Sequence, residues 1–167
     1  MDKQELIEYA NSMYESCGEI DIVKLCSLSG IEVYGDDRTE INAKISADSK
    51  ENFEITYNAT HSLNRIRFSI AHELAHFFLH KDDVIKNKTL YRKEDSSVQE
   101  KEADSLAEEI LMPQKAVMDF MGKFSKENLG EEVVTLVAKK FQVSVIVAIV
   151  RLRNLKFKIP YISFSYV

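Results

Sequence analysis

Two histidines and a glutamate lie within five consecutive residues of this chain, in the order His72-Glu73-x-x-His76. On an α-helix, residues four apart stand one above the other on the same face, so both imidazoles can reach one metal ion. Glu73 would lie beside that ion, where its carboxylate can take a proton from a water molecule. Zinc-dependent hydrolases use these residue types at this spacing, and a metallopeptidase is therefore the leading interpretation.

The residues around this pentapeptide predict a buried helix from about residue 64 to residue 80. Its apolar side chains cover nearly every side of the helix, namely Ile70, Ala71, Leu74, Ala75, Phe77 and Phe78. The pentapeptide could also arise by chance, since shuffling the chain would produce it roughly one time in a hundred. In that case the helix would be amphipathic and the two histidines would lie on the surface. Polar groups on an apolar helix need a partner, and the flanking residues therefore favour a metal.

A catalytic zinc ion commonly has three protein ligands, so a third ligand is expected outside the pentapeptide. His80 is unsuitable, because it would lie about 12 Å from His72 along an unbroken helix. The next predicted helix, at about 98–111, contains two other candidates, Glu100 and Glu102.

The two glutamates lie on different faces of that helix. Glu100 shares its face with two alanines, at positions 103 and 107, which would allow a close approach to the His-Glu helix. Asp104 lies one turn further on, where it would accept the second ring N–H of a zinc-binding histidine. Glu102 lies on a more mixed surface, where a solvated charge is expected. This comparison favours Glu100 and leaves Glu102 as the alternative.

Short elements are predicted on both sides of these two helices. Further helices are predicted at about 3–16, 21–30, 114–122, 131–141 and 145–155, and strands at 31–34, 43–47 and 53–57. An edge strand beside a metal can pair with an extended substrate. Residues 81–97 are polar and predict a loop, and residues 157–167 predict a strand or an extended arm.

The composition, with 45% hydrophobic and 29% charged residues in 167, is that of a globular protein. We expect a main domain at 1–122 and a helical pair with an extended tail at 123–167, packed on the main domain. We find neither a signal peptide nor a membrane span and expect a cytoplasmic protein. Cys17 and Cys26 do not form a Cys-x-x-Cys pair, which indicates reduced thiols.

The net charge of −5 is unevenly distributed. Residues 133–167 contain six basic residues and no acidic one. This segment could contact nucleic acid or an acidic partner, although packing on the acidic remainder of the chain is favoured. The helical pair resembles a helix-turn-helix in outline, but its second helix begins with apolar residues that cannot read bases, so DNA binding is the weaker interpretation.

Two longer stretches resemble the ImmA/IrrE type of metallopeptidase. Residues 65–80 read Arg-Ile-Arg-Phe-Ser-Ile-Ala-His-Glu-Leu-Ala-His-Phe-Phe-Leu-His, and residues 100–113 read Glu-Lys-Glu-Ala-Asp-Ser-Leu-Ala-Glu-Glu-Ile-Leu-Met-Pro. The joint pattern is far more specific than the pentapeptide alone. The resemblance covers residues 65–113 strongly and the preceding elements in outline.

The resemblance implies an α+β, zincin-like domain with a small, mostly antiparallel sheet packed on the His-Glu helix, followed by C-terminal helices. By position, His72, His76 and Glu100 would bind Zn²⁺, Glu73 would be the general base and Asp104 would support a histidine ligand. The implied substrate is a cytoplasmic helix-turn-helix transcriptional repressor of a phage, mobile element or stress locus.

The expected reaction is metal-assisted amide hydrolysis with Glu73 as the base. The rival interpretation is a regulatory protein that binds a repressor or DNA without cutting it. An intact His-Glu-x-x-His favours the enzyme, because a pure binding protein has no need of Glu73. Tyr57, Tyr91 and Tyr161 are candidates for stabilising the oxyanion, only because a phenol can donate a hydrogen bond.

Overall fold

The computed structural model describes residues 1–48, 52–85, 96–124 and 129–159. These residues form eight helices and three strands, which confirms the predicted α+β class. The helices are α1 (Lys3–Cys17), α2 (Ile22–Leu28), α3 (Leu63–Leu79), α4 (Lys81–Ile85), α5 (Ser96–Leu111), α6 (Gln114–Met121), α7 (Glu131–Phe141) and α8 (Val145–Asn154). The strands are β1 (Ile31–Asp36), β2 (Ala43–Ala47) and β3 (Phe53–Asn58).

The three strands form one sheet in the order β1-β3-β2. The sheet is mixed rather than mostly antiparallel, since β2 runs antiparallel to β3 whereas β1 runs parallel to it. The short connection between β2 and β3 favours an antiparallel pair, and β1 joins the far side of β3. Along β3, Phe53 and Ile55 are buried while Glu54 between them is exposed, so one face of the sheet covers the core.

Helix α3 lies at the centre of the molecule, with β2 and β3 on one side and α5 on another. Helices α3 and α5 pack closely against each other, and both contain fully buried small residues. Four alanines on these two helices have no exposed surface, namely Ala71, Ala75, Ala103 and Ala107. Their short side chains allow the two backbones to approach closely. A close approach was predicted from the alanines that share a face of α5 with Glu100.

Local chemistry explains where several helices begin and end. The Asp21 side chain accepts a hydrogen bond from the Lys24 N–H and begins α2. Gly30 has a φ of 75°, a conformation that glycine adopts without strain, and ends the segment after α2. These two residues are the ends of the helix predicted at about 21–30. Ser144 begins α8 in the same way as Asp21, by accepting from the Val147 N–H.

The segment predicted as a loop at 81–97 contains helical structure at both ends. Helix α4 occupies its first five residues, where Val84 is buried and two aspartates lie in the first turn, near the positive end of the helix dipole. Helix α5 begins at Ser96. Residues 86–95 lie outside the described residues, as do residues 160–167 of the predicted arm.

The C-terminal helices α7 and α8 meet at a sharp angle of 102°. Helix α8 packs against α5, and Arg151 Nε donates a hydrogen bond of 3.1 Å to the Met112 carbonyl. In the described part of the chain, no single helix is long and apolar enough to cross a membrane, and only the bent α7 and α8 pair meets that criterion by length and composition. The division of the chain near residue 122 stays a prediction.

Candidate metal centre

Helix α3 places two imidazoles side by side. The Nε2 atoms of His72 and His76 are 3.0 Å apart. The His76 side chain is almost fully buried and the His72 side chain is mostly buried. This arrangement follows from the spacing of four residues on a continuous helix, which brings both rings to one face.

Helix α5 contributes a carboxylate to the same point. Glu100 Oε2 lies 3.1 Å from His72 Nε2, and Glu100 Oε1 lies 3.4 Å from His76 Nε2. The ligand atoms of the three residues all lie within 4.8 Å of one another. The close contact between α3 and α5 therefore brings together residues that are far apart in sequence.

Asp104 lies one turn after Glu100 and contacts the other side of the His72 ring. The His72 Nδ1–H donates to Asp104 Oδ1 over 2.9 Å, which leaves the lone pair of Nε2 directed at Glu100 and His76. Burial lowers the pKa of His72, but the Asp104 hydrogen bond and the nearby carboxylates of Glu73 and Glu100 outweigh it, so the pKa is raised. The local charge therefore favours a cation at this point.

The pKa of His76 is shifted in the opposite direction from that of His72. Burial, together with the neighbouring imidazoles of His72 and His80, lowers the pKa of His76 to about 3. The ring is therefore neutral at pH 7, which is the form that binds a metal. Its Nδ1 atom is buried and has no hydrogen-bond partner in the described part of the chain.

The three residues fit a zinc ion. Two imidazole nitrogens and a carboxylate oxygen are a donor set typical of catalytic zinc. With bonds of about 2.0–2.1 Å, tetrahedral ligand atoms lie about 3.3 Å apart. The separations of 3.0, 3.1 and 3.4 Å are close to this value. An ion at this point would contact both imidazole nitrogens and the carboxylate at once.

Glu73 lies beside this group and contacts the sheet. Its Oε2 accepts a hydrogen bond of 2.9 Å from the backbone N–H of Ile45 in β2. Burial raises the pKa of Glu73, and the negative charge of Glu100 adds to the effect, although His72 and the Ile45 N–H oppose it. A carboxylate with a raised pKa is better matched to proton transfer near neutral pH.

The contact between Glu73 and Ile45 was not predicted. The alternation of residues in β2 indicates a strand, but it contains no information about which helix lies along the strand. The role of Ile45 is visible only in the three-dimensional packing of β2 against α3.

The alternative third ligand, Glu102, lies elsewhere. Its Oε2 is 3.7 Å from His80 Nε2 at the C-terminal end of α3, and its side chain is 56% exposed. His80 follows the last turn of α3, where its backbone N–H donates to the His76 carbonyl. The structure thus brings Glu100, and not Glu102, to the two Nε2 atoms of His72 and His76.

Of the three tyrosines considered for the oxyanion, only Tyr57 is described. It packs over β1, where its hydroxyl lies 3.0 Å from the position of a Cβ atom added to Gly35. Tyr91 and Tyr161 lie outside the described residues. The role of an oxyanion donor stays a prediction for all three.

Two histidines of a His-Glu-x-x-His helix, facing an acid from a later helix and bordered by a small sheet, define a zincin-like domain. The model of the peptidase M78 family, described as the IrrE N-terminal-like domain, matches residues 26–153. The chain belongs to this family, which confirms the resemblance to ImmA/IrrE-type proteins.

A solved structure shares the fold. A Mycobacterium tuberculosis transcriptional regulator is 17% identical with a TM-score of 0.59, and the match covers 89% of this chain and 46% of that chain. This chain therefore spans less than half the length of that regulator, and the likeness concerns the fold alone. No curated protein matches the chain significantly.

Proposed function

We propose that this protein is a zinc-dependent endopeptidase. The observation that carries the proposal is the convergence of His72, His76 and Glu100, with the carboxylate of Glu73 beside them. Membership of a peptidase family supports the same class of activity.

In this proposal His72, His76 and Glu100 bind Zn²⁺, and Asp104 fixes the orientation of the His72 ring. Zinc supplies Lewis acidity, which makes water more acidic and stabilises negative charge on a carbonyl oxygen. The hydrogen bond from His72 Nδ1 to Asp104 keeps the ring in the tautomer whose Nε2 can bind the ion.

Glu73 moves the protons of the reaction. Its carboxylate takes a proton from water as the water oxygen forms a bond to the scissile carbonyl carbon. When the bond between carbon and nitrogen breaks, Glu73 gives this proton to the leaving nitrogen. One water molecule is consumed, the products are a carboxylic acid and an amine, and Glu73 returns to its starting state.

The proposed substrate is a helix-turn-helix transcriptional repressor. The family supports a protein substrate, and the fold similarity to a protein named as a transcriptional regulator is compatible with a regulatory setting. The same similarity supports a rival, in which the chain binds a repressor or DNA without cutting it.

DNA binding through the C-terminal helices receives less support. Arg151 of α8 is only 6% exposed and contacts Glu109 of α5 and Met112, the residue that follows α5. A guanidinium in this position cannot reach the phosphates or base edges of a duplex. Of the two arginines of α8, Arg151 thus packs within the chain.

The proposal is tested with a helix-turn-helix repressor encoded beside the gene for this protein. The zinc-loaded chain should cut the repressor into two fragments identifiable by mass spectrometry. Treatment with a chelator should stop cleavage, and His76→Ala should not cut. A zinc-loaded chain that binds the repressor and leaves it intact would support the rival instead.

A further inference from the structure

The hydrogen bond between Glu73 and Ile45 joins the His-Glu helix to an edge strand of the sheet. Within the residues that the structure describes, β2 pairs with β3 on one side only. In its ladder, the Asn58 N–H donates to Asn42 O and the Asp48 N–H donates to Asn52 O. These two bonds identify the even-numbered residues of the strand as those that hydrogen-bond to β3.

The odd-numbered residues of β2 therefore direct their N–H and carbonyl groups away from β3. Ile45 lies opposite Ile55 in a pair without ladder bonds, and Ala47 lies opposite Phe53 in the same kind of pair. The Ile45 N–H makes no bond to the sheet and donates to Glu73 Oε2 instead. This donor can be removed without loss of a ladder bond.

A second contact keeps β2 in place along α3. Arg65, in the first turn of α3, donates a hydrogen bond of 2.7 Å to the side chain of Asn42, just before β2. From Arg65 to Glu73 the helix rises about 12 Å, and from Asn42 to Ile45 the strand advances about 10 Å. The strand thus runs beside the helix with two points of attachment.

We propose that the backbone N–H of Ile45 is a positioning group for the catalytic base, and this inference rests on the proposed peptidase function. The bond fixes Oε2 of Glu73, which leaves Oε1 to exchange the proton with water and the leaving nitrogen. A side chain with three rotatable bonds is thereby restricted to one orientation beside His72. Such restriction matters, because a displacement of about 1 Å can reduce a rate about a hundredfold.

The first test measures hydrogen exchange of backbone amides by NMR and requires no activity. The Ile45 amide should be protected in the parent and exchange at least about tenfold faster in Glu73→Ala, since the bond involves a charged acceptor. Glu73→Gln retains an acceptor oxygen and should restore the protection. The Ser46 amide, which belongs to the ladder with β3, should change less than about twofold. Equal exchange of the Ile45 amide in all three proteins would overturn the proposal.

The second test replaces one amide by an ester, so that the N–H is lost and the side chain is kept. Replacement of the amide at residue 45 should lower kcat about 10- to 100-fold on a fluorogenic peptide that the parent cleaves, with KM changed less than about twofold. Zinc content should stay at the parental level. The same replacement at Ala47 removes another outward N–H that is not bonded to Glu73. It should leave kcat within about twofold of the parent, and any effect through pairing of this edge with the substrate should appear in KM.

Three results of this second test would contradict the positioning role. The ester at residue 45 could have the parental kcat, or the esters at residues 45 and 47 could lose kcat equally. The ester at residue 45 could also lose zinc together with kcat. A parent that cleaves no peptide at all would contradict the peptidase proposal instead. The exchange measurement would still decide whether Ile45 fixes Glu73.

Discussion

At the scale of single residues, the candidate site is a group of negative charges around two imidazoles. The carboxylates of Glu73, Glu100 and Asp104 all raise the pKa of His72, in spite of its burial. Several acids gathered around buried rings are stabilised by a positive charge between them. Without a metal ion, the residues around this point therefore have an excess of negative charge.

Glu100 and Glu102 of α5 should respond differently to truncation. Glu100→Ala should severely lower zinc affinity, because it removes a ligand oxygen that lies 3.1 Å from His72 Nε2. Glu102→Ala removes an exposed side chain near His80 and should leave the affinity within about twofold of the parent. Competition with a chromophoric chelator measures both affinities. Equal losses in the two variants would refute the assignment of Glu100.

Asp104 should act on the metal only through His72. Asp104→Ala should weaken zinc binding about 10- to 100-fold, because the ring loses the acceptor that fixes its tautomer and orientation. Asp104→Asn retains a carbonyl acceptor and should recover part of the affinity. The same chelator competition applies, and an unchanged affinity in Asp104→Ala would show that this hydrogen bond is dispensable.

Helix periodicity accounts for much of the geometry at this scale. A spacing of four residues already predicts that His72 and His76 share a face, and the alanines beside Glu100 predict which face of α5 turns toward α3. The contact of Ile45 with Glu73 could not be predicted in this way, because it depends on the position of a strand beside a helix 28 residues later in the chain.

At the scale of elements, the site depends on the distance between α3 and α5. His72 and His76 lie on one helix and Glu100 on the other, so the separation of the ligand atoms follows the separation of the backbones. We expect the buried alanines of the two helices to set that separation. Changes in their volume should therefore affect both stability and metal binding.

Ala103→Leu should test this dependence. The added atoms have no space at a position with no exposed surface, so we expect destabilisation of about 1–3 kcal/mol and a weaker affinity for zinc as α5 moves outward. Ser105→Leu, on an exposed position of the same helix, is the control and should change neither property appreciably. Denaturant unfolding and metal competition give the two values. If Ala103→Leu bound zinc like the parent, the helix separation would not control the site.

The elements themselves differed in how well they could be predicted. Long helices such as α3 and α5 have several turns over which an apolar pattern repeats, and their positions were predicted closely. Helix α4 has only five residues, too few for a period to be recognised. The direction of β1 relative to β3 depends on the path of the chain between them, which local alternation does not specify.

At the scale of the whole molecule, α8 is joined to the helix that contains Glu100. Arg151 bonds to Met112 at the end of α5 and lies 3.8 Å from Glu109. Asn154 donates to Glu108 over 3.0 Å, and burial is the main cause of the raised pKa of Glu108. These contacts place basic and polar groups of α8 against acids of α5, as the opposed charges of the two chain segments suggested.

Loss of Arg151 should therefore destabilise the fold. Arg151→Ala leaves the Met112 carbonyl without this donor and removes the positive charge beside two glutamates, at an expected cost of about 3 kcal/mol. Lys139→Ala, on an exposed position of α7, should cost less than about 0.5 kcal/mol. Unfolding in urea measures both costs. Equal stability of the two variants would mean that α8 is not anchored to α5 through this guanidinium.

The most direct test of the central claim, that Glu73 acts as the base of a zinc peptidase, is a comparison of cleavage rate and zinc content for the parent and Glu73→Gln. Because the substitution removes the base and no ligand, we expect the same zinc content, about one ion per chain, and a cleavage rate lower by several orders of magnitude. A Glu73→Gln protein that cuts the repressor at the parental rate would contradict the account.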